Sequence, residues 1–291
     1  MRRLFDRRAT PIYVMLGLEA AVVAAAVASG RFTLDGALVA NLARDLGGFL
    51  LIAFAARWIG FDRVALALEW LMLSLTTVFL GAFVSVVFAS FPLPLADGWL
   101  AAADLALGFR REPVLAVLAG SPALLRAWVW IYESFAFTPQ LLAVLLLLAA
   151  RPARAWTLLV ALTAAMLGSM AIMPLVPAHG APCLSYQWIA VFDGVRDGSL
   201  RHLDTSVMTG MVTFPSLHAA DAAILVWGYR QLGRLALPFV ALNMLMVVSA
   251  VVVGGHYLVD LAAGLALAWA AIRLALWCER RFDRAASAVP M

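Results

Sequence analysis

The stretch TFPSLHAADAAI, Thr213 to Ile224, places a proline, a serine, a histidine and an aspartate at the start of an apolar run. A second stretch, GGHYLVDLAAG, Gly254 to Gly264, again sets a histidine and an aspartate at the edge of an apolar run. The chain has 291 residues and only four histidines, and two of the four stand in these stretches. We therefore expect the chemistry of this protein at the ends of its hydrophobic segments.

The composition is that of a membrane protein, since 65% of the residues are hydrophobic and 13% are charged. A soluble domain is closer to half apolar and a quarter charged. Repeated apolar runs of about 20 residues have the length of membrane spans. We predict an all-α polytopic integral membrane bundle of about eight transmembrane helices. The apolar segments cover residues 11–29, 37–56, 64–91, 123–150, 155–175, 215–229, 236–254 and 257–277.

The N-terminus carries MRRLFDRR before an apolar run that contains Glu19. This pattern fits either a cleaved signal peptide or a retained anchor helix, and we favour the anchor because the run is long and holds a glutamate. We assign residues 1–91 to N-terminal transmembrane helices and residues 92–291 to a second transmembrane domain that contains both histidine motifs.

The basic residues set the orientation, and all 21 of them are arginines. With the N-terminus in the cytoplasm, most arginines fall on the inner side, as the positive-inside rule requires. The outer side receives Arg31, Arg44, Arg110, Arg111, Arg196 and Arg201, with Arg126 at a span end. Charges at span ends report topology, so we expect no nucleic-acid partner. The alanine-rich, lysine-free composition indicates a GC-biased genome, and the compact chain without eukaryotic sorting signals favours a bacterial host. We place the protein in the inner membrane, with the span ends that carry both histidine motifs facing the periplasm.

Two outer loops are long enough to bear on function. Residues 92–122 have apolar residues at helical spacing together with Asp97 and Asp104, which fits a helix on the membrane surface or a plain connecting loop. Residues 176–214 are rich in glycine, proline and polar groups, and a long loop beside a buried site often acts as a lid. This second loop contains His179, Arg196, Arg201 and His202.

The first motif predicts an anion site. Proline is tolerated where a helix begins, so Pro215 marks a helix start. The N–H groups of the first turn, including that of Leu217, point outward at the positive end of the helix dipole, where phosphate binds readily. The Ser216 hydroxyl adds a donor, and His218 lies in the same turn. An ordinary capped helix start with an interfacial histidine would give the same pattern.

The second motif predicts an activated imidazole. His256 and Asp260 are four residues apart, which puts them on one face of a helix. A carboxylate held against one ring nitrogen fixes the tautomer and makes the other nitrogen a better nucleophile or base. An ionisable pair inside a membrane segment is costly and is usually functional. The alternative is a structural pair that links helices.

A metal site is the less favoured interpretation of these residues. The other two histidines, His179 and His202, are loop residues without matching spacing. Cys183 and Cys278 are predicted on opposite sides of the bilayer, so we expect neither a disulfide nor a thiolate metal site. We expect no metal and no cofactor.

Both histidine motifs are predicted on the same side of the membrane, because the chain crosses it twice between His218 and His256. An anion pocket, a carboxylate-backed histidine and a second histidine suit phosphoryl transfer through a covalent phosphohistidine. The nucleophile attacks phosphorus, and the second histidine protonates the leaving oxygen and then deprotonates the acceptor. Donors around the phosphate can replace a metal ion.

These residues resemble a known family. PSLH and HYLVD are similar to the second and third motifs of the type 2 phosphatidic acid phosphatase superfamily, which comprises membrane-bound lipid phosphatases and phosphotransferases. Leu217 stands where many members have glycine, and in this it resembles the inositol phosphorylceramide synthase branch. Ser249, His256 and Asp260 fall at the spacing of the third motif. The resemblance covers about residues 120–277. It implies that residues 92–291 form a catalytic transmembrane domain with a six-helix core and an active site facing the periplasm.

The resemblance implies a role for each matching residue. It implies His256 as nucleophile, Asp260 as its orienting partner and His218 as acid and base. It implies that Ser216, Leu217 and Ser249 contact the phosphate. Asp221, three residues after His218, is predicted in the second layer around the site.

Two family positions are not matched. The arginine of the third motif is replaced by Ala250, and the lysine of the first motif, Lys-x6-Arg-Pro, falls on Val144. Arg151-Pro152 matches the end of that first motif, but the predicted topology puts Arg151 on the inner side, so we reject it. Replacement cations are expected at Arg201 or among Arg196, His202 and Arg126.

The resemblance implies a metal-independent phosphoric ester hydrolase or phosphotransferase that acts on a phospholipid or another phosphorylated lipid, sphingolipids included. Water, inositol or another hydroxyl compound would be the acceptor. Two alternatives stay open. A proton-coupled transporter would use the intramembrane acids Glu19, Glu69 and Glu133. A catalytically inactive relative that binds lipid phosphate would fit the alanine at position 250.

Overall fold

The computed structural model describes residues 6–184, 187–208 and 210–287. Helices make up almost all of its regular structure. The α-helices are α1 (Thr10–Ala28), α2 (Gly36–Trp58), α3 (Asp62–Ala89), α4 (Asp97–Ala106), α5 (Glu112–Ala119), α6 (Pro122–Glu133), α7 (Thr138–Leu148), α8 (Pro152–Ile172), α9 (Gln187–Asp197), α10 (Leu217–Tyr229), α11 (Leu237–Val252) and α12 (Leu258–Ser287). Two short strands, β1 (Thr33–Leu34) and β2 (His202–Leu203), pair in parallel. The predicted all-α membrane bundle is confirmed.

The predicted number of about eight spans depends on how the broken apolar helices are counted. Within the described residues, six helices are long and apolar enough to cross a membrane, or up to seven if the bent pair α5 and α6 counts as one span. The predicted span 123–150 is interrupted, because α6 ends at Glu133 and α7 begins only at Thr138, with Pro139 in its first turn. Proline cannot donate the backbone hydrogen bond that would continue the preceding helix.

The helices α10 and α11 form a hairpin. The apolar run Leu217–Val252 is 36 residues long and counts as one candidate span. Gly233 leaves the helical conformation within it (φ 65°), and the two halves pack side by side. The chain therefore returns along α11 to the end of the bundle at which α10 began, which brings the two histidine motifs to one end.

The bundle core surrounds α8, which packs against α3, α10 and α12. Trp156 of α8 is buried and its indole N–H donates to Asp6 at 3.0 Å. Trp70 of α3 donates to the carbonyl of Ala155 at 2.9 Å. Within a bilayer, close van der Waals packing and interhelical hydrogen bonds of this kind stabilise helix contacts, because lipid tails are as apolar as the core. These contacts fix α3 against the helices that carry the histidines.

The acids on which the transporter alternative relied have different surroundings. Glu69 is bound by Arg57 and accepts from the backbone N–H of Asp6 and the hydroxyl of Tyr13. Glu133 is exposed. Glu19 is buried, and neither of its carboxylate oxygens has a hydrogen-bond partner among the described residues. Glu69 therefore holds the ends of α2 and α3 to the N-terminal segment.

A close approach between α10 and α12 joins the two motifs. The backbone N–H of Ser216 donates to the carbonyl of Asp260 at 3.0 Å. Gly264 of α12 lies against the same serine, and a Cβ at this glycine would stand 2.3 Å from the Ser216 carbonyl oxygen. Because this oxygen belongs to the backbone at the start of α10, only glycine permits the contact without separating the helices.

Replacing Gly264 with alanine is expected to lower the midpoint of thermal unfolding, because overpacking of this kind costs about 1–3 kcal/mol. Gly17 of α1 provides a matched helical control, since a Cβ there meets no atom within 4 Å. Gly17→Ala should leave the midpoint unchanged or raise it slightly. Equal midpoints for the two variants would contradict the close contact.

Candidate active site

The structure brings His218 and His256 together. Their ring centroids are 5.8 Å apart, and the rings meet edge to face at 61°. The ring of His218 stacks on Tyr132 with centroids 4.1 Å apart, and Phe135 lies 5.3 Å away. These aromatic neighbours come from α6 and the turn that follows it, so the break after α6 supplies the surface that holds His218.

His256 does not lie in a helix, contrary to the prediction from its spacing to Asp260. The helix α12 begins two residues later, at Leu258. The Nδ1 atom of His256 is 2.9 Å from the carbonyl oxygen of Thr213, while the nearer carboxylate oxygen of Asp260 is 3.6 Å from the same nitrogen. A carbonyl can only accept, so Nδ1 carries a proton and the lone pair of the neutral ring is on Nε2.

Asp260 supports this arrangement at short range. Its Oδ2 accepts the backbone N–H of Tyr257 at 2.7 Å. Its Oδ1 is buried and has no hydrogen-bond partner among the described residues. The carboxylate lies beside the imidazole without a direct hydrogen bond, so it stabilises positive charge on His256 mainly through space.

The first turn of α10 offers hydrogen-bond donors. Ser216 is the N-cap, and its hydroxyl oxygen accepts from the N–H of Ala219 at 3.3 Å. The helix begins at Leu217, so Pro215 precedes it instead of lying in its first turn. Within the described residues, the N–H groups of Leu217 and His218 have no acceptor. They lie at the positive end of the helix dipole, where an anion is favoured.

A cavity of about 230 Å³ adjoins both histidines. Its lining is largely apolar and includes methionines from α8 and from the loop before α10. One wall comes from α3, which lies before the domain boundary predicted at residue 92. The α3 residues in this wall are Val78, Gly81, Ala82 and Ser85. No arginine is among the described residues that line the cavity.

Two aspartates of α4 hold the loops around His256. Asp97 accepts from the backbone N–H groups of His179 and Gly180 and from the hydroxyl of Tyr257. Asp104 accepts from the N–H of Leu258 at 2.8 Å and so caps α12. Burial raises the pKa of Asp104, and the capped N–H groups and Arg111 act in the opposite direction.

This role was missed by the sequence interpretation, although a signal was present. Asp97 and Asp104 are seven residues apart in an apolar stretch, and that spacing puts both on one helix face. The predicted helix in residues 92–122 is therefore present as α4. Its acidic face contacts the loops that carry His179 and His256.

Arg111 is the second residue that sequence reasoning did not identify. Its guanidinium is buried and donates to the carbonyls of Pro182 and Gly254, each at 3.0 Å, and to the carbonyl of His256. Burial lowers the pKa of Arg111. One cation thus binds three carbonyls from two loops. These hydrogen bonds hold the backbone of His256 in place.

Other predicted site residues lie away from the histidine cavity. The hydroxyl of Ser249 donates to the Met246 carbonyl at 2.7 Å, and its own carbonyl accepts from Val253 and Gly254 where α11 ends. Asp221 is buried and its Oδ1 has no partner among the described residues. Arg151 donates to the Gln231 carbonyl beyond the far end of α10, in agreement with its rejection.

The basic residues predicted as phosphate ligands in the outer loops also do not line the histidine cavity. Arg201 and Arg196 line a separate cavity together with Arg31. His202 pairs with the hydroxyl of Thr33 at 3.0 Å, and Arg126 is exposed on α6. His179 is 2.7 Å from Asp193 and accepts, through its carbonyl, the indole N–H of Trp188, which lines the histidine cavity.

Among the described residues, no group of three or more His, Cys, Asp or Glu side chains is arranged to hold a metal ion. A family model described as the PAP2 superfamily matches residues 98–274, which includes α4, Arg111 and both histidine motifs. No curated protein and no solved structure matches the chain significantly.

Proposed function

The chain belongs to the PAP2 superfamily, whose members are phosphoesterases, and on this premise we propose that it cleaves or transfers a lipid phosphoester through a phosphohistidine on His256. The observation that carries the proposal is the pair of imidazoles 5.8 Å apart at the N-terminus of α10. His256 has its Nδ1 bound to a carbonyl, and Nε2 is available to attack. His218 stands beside it as acid and base.

In the first half-reaction, Nε2 of His256 attacks phosphorus and the bond from phosphorus to the leaving oxygen breaks. His218 donates its proton to that oxygen, so the lipid portion leaves as an alcohol. Positive charge develops on the His256 ring and is stabilised by Asp260, 3.6 Å from Nδ1. The N–H groups of Leu217 and His218 are positioned to receive the phosphate oxygens.

In the second half-reaction, a hydroxyl compound attacks the phosphorus of the phosphohistidine. His218 is now neutral and takes the proton of the acceptor, and the P–N bond breaks to return its electron pair to Nε2. Water as acceptor gives a phosphatase. Inositol or another hydroxyl compound gives a phosphotransferase.

The cavity supports a lipid substrate. Its methionines and the small residues of α3 offer an apolar surface for a tail beside the histidines. Because no arginine is among its described lining residues, a phosphodiester with one negative charge is favoured over a phosphomonoester with two. This favours a transferase of the inositol phosphorylceramide synthase kind over a phosphatidic acid phosphatase.

We further propose that the reaction is metal-independent and takes place at the outer face of a bacterial inner membrane. The excess of arginines at the ends assigned to the cytoplasm supports this orientation. Protonated His218 and the first-turn N–H groups of α10 supply the charge compensation that a metal ion would otherwise provide.

A lipid panel tests the proposal. The purified protein is given phosphatidic acid, other phosphomonoester lipids and phosphatidylinositol with a ceramide or diacylglycerol acceptor, in the presence of a chelator. Phosphate release indicates a hydrolase, and headgroup exchange indicates a transferase. The proposal would be contradicted if neither class of lipid were turned over, or if the chelator abolished the activity.

Arg111 is predicted to act as a positioning residue. Arg111→Ala removes the donors to Pro182, Gly254 and His256, so kcat should fall about 10–100-fold while KM changes little, because a displacement of about 1 Å in a reacting group has such effects. Arg111→Lys should restore part of kcat. Arg110→Ala is the adjacent control, and an equal fall in kcat there would contradict the assignment.

A further inference from the structure

Three arginines surround a second cavity at the outer loops. The cavity has a volume of about 210 Å³, and its lining residues include Arg31, Arg196 and Arg201. Asp197 also lines it and is the only acid among its described lining residues. The lining therefore carries an excess of two positive charges. Like charges that line one cavity repel one another, and an anion bound between them would offset that repulsion.

The arginines are held in place by the fold. Arg31 donates to the carbonyl of Ser90 at 3.0 Å and lies 5.0 Å from the ring centroid of Phe91. Arg196 donates to the carbonyls of Phe91 and Leu93 at 2.9 and 2.6 Å. These contacts orient two guanidinium groups at the end of α3 before any ligand binds.

Arg201 is brought to the same cavity by the two strands. The N–H of Thr33 in β1 donates to the carbonyl of Arg201 at 2.8 Å, which ties the loop after α9 to the loop after α1. The Arg201 side chain donates only through Nε to the carbonyl of Gly198 among the described bonds. A guanidinium has five N–H groups, so each of the three arginines retains donors for a ligand.

We propose that this cavity binds a phosphate group as a second anion site, separate from the histidine cavity. Phosphate matches the excess of two charges, and its oxygens suit the paired donors of arginine. Arg31 and Arg201 are exposed, so the site can be reached from the water or the lipid headgroup layer. Free phosphate and the headgroup of an anionic lipid offer the same chemistry.

The second site is linked to the histidine cavity through α9. Arg196 stands near the C-terminal end of this helix, and Trp188 near its N-terminal end lines the histidine cavity. The two positions are separated along the helix axis by about 12 Å. An anion bound at the three arginines therefore fixes one end of the helix whose other end borders the histidines.

The test uses the full chain with His256→Gln, in nanodiscs of phosphatidylcholine, so that turnover does not consume the probe. Inorganic phosphate, against chloride at equal ionic strength, should raise the midpoint of thermal unfolding by at least about 2 °C. A parallel arm replaces part of the phosphatidylcholine with phosphatidic acid. A rise in either arm supports the site, and the responding arm identifies the source of the phosphate group.

The assignment is checked by adding Arg31→Gln and Arg201→Gln to this protein, which should abolish the rise. Arg201→Gln alone, whose only described side-chain bond is within its own loop, should weaken it if the double variant does not fold. Arg110→Gln removes the same charge from the outer loops and should leave the rise intact. No rise in either arm, or a rise that persists without Arg31 and Arg201, would overturn the proposal and leave the histidine chemistry unaffected.

Discussion

Replacing His256 with glutamine is expected to lower turnover of the lipid phosphoester at least about 10³-fold, because the side-chain amide has no nucleophilic nitrogen to replace Nε2. Glutamine keeps a similar size and can still donate to the Thr213 carbonyl, so the backbone around Gly254 and Tyr257 should persist. The measurement is kcat on the best substrate of the lipid panel.

His202→Gln is the matched control for this loss. His202 lies in β2 and contacts Thr33, away from the histidine cavity. Its replacement should leave kcat within about twofold of the original, as for most exposed positions. Equal losses in the two variants would show that the nucleophile is not His256.

His218→Gln is expected to produce a loss that depends on the leaving group. For a lipid alcohol, kcat should fall about 10²–10⁴-fold, because the departing oxygen then receives no proton. For an ester with a nitrophenol leaving group, formation of the phosphohistidine needs no acid and should stay fast. Its breakdown still lacks a base, so a rapid burst of nitrophenol followed by slow turnover is predicted.

The control for His218→Gln is the response of His256→Gln to the same ester. Without the nucleophile, no burst should appear with either leaving group. A His218→Gln loss that is equal for lipid alcohol and nitrophenol would contradict its role as acid. A full burst and full turnover would contradict its role as base.

The meeting of His218 and His256 could be predicted from the sequence because it depends on local patterns. The apolar helices on either side of the Gly233 turn return the chain to the end of the bundle that it left, and the two motifs mark the ends of those helices. Hydrophobic periodicity and the bilayer thickness together fix such an arrangement. The same argument correctly excluded Arg151, at the far end of α10.

The partners of the histidines could not be predicted in the same way. The Thr213 carbonyl that binds Nδ1 depends on backbone conformation 43 residues away in sequence. Spacing alone favours Asp260 as the partner of Nδ1. However, α12 begins only at Leu258, and the Asp260 carboxylate accepts a hydrogen bond from the N–H of Tyr257. Helical spacing predicts contacts only where both residues lie within the helix.

The contacts of Arg111 and the wall formed by α3 are tertiary in origin. Arg111 bonds to carbonyls 71, 143 and 145 residues later in the chain, and nothing in its neighbourhood of the sequence indicates them. Val78, Gly81, Ala82 and Ser85 do form a stripe at helical spacing, which predicts a packed face but not what it faces. For Arg201, the position in the outer loop alone predicts a contact with the phosphate at the histidines. In the structure, pairing with β1 holds this loop beside Arg31 and away from the histidines.

The most direct measurement is the position of a covalent phosphate after rapid quenching. His218→Gln is mixed with the nitrophenyl ester, quenched in alkali to preserve phosphohistidine, digested and analysed by mass spectrometry. We predict one phosphorylated residue, His256, and no label when His256→Gln is added. Label on another residue, or a burst of nitrophenol without any labelled peptide, would contradict the proposed covalent mechanism.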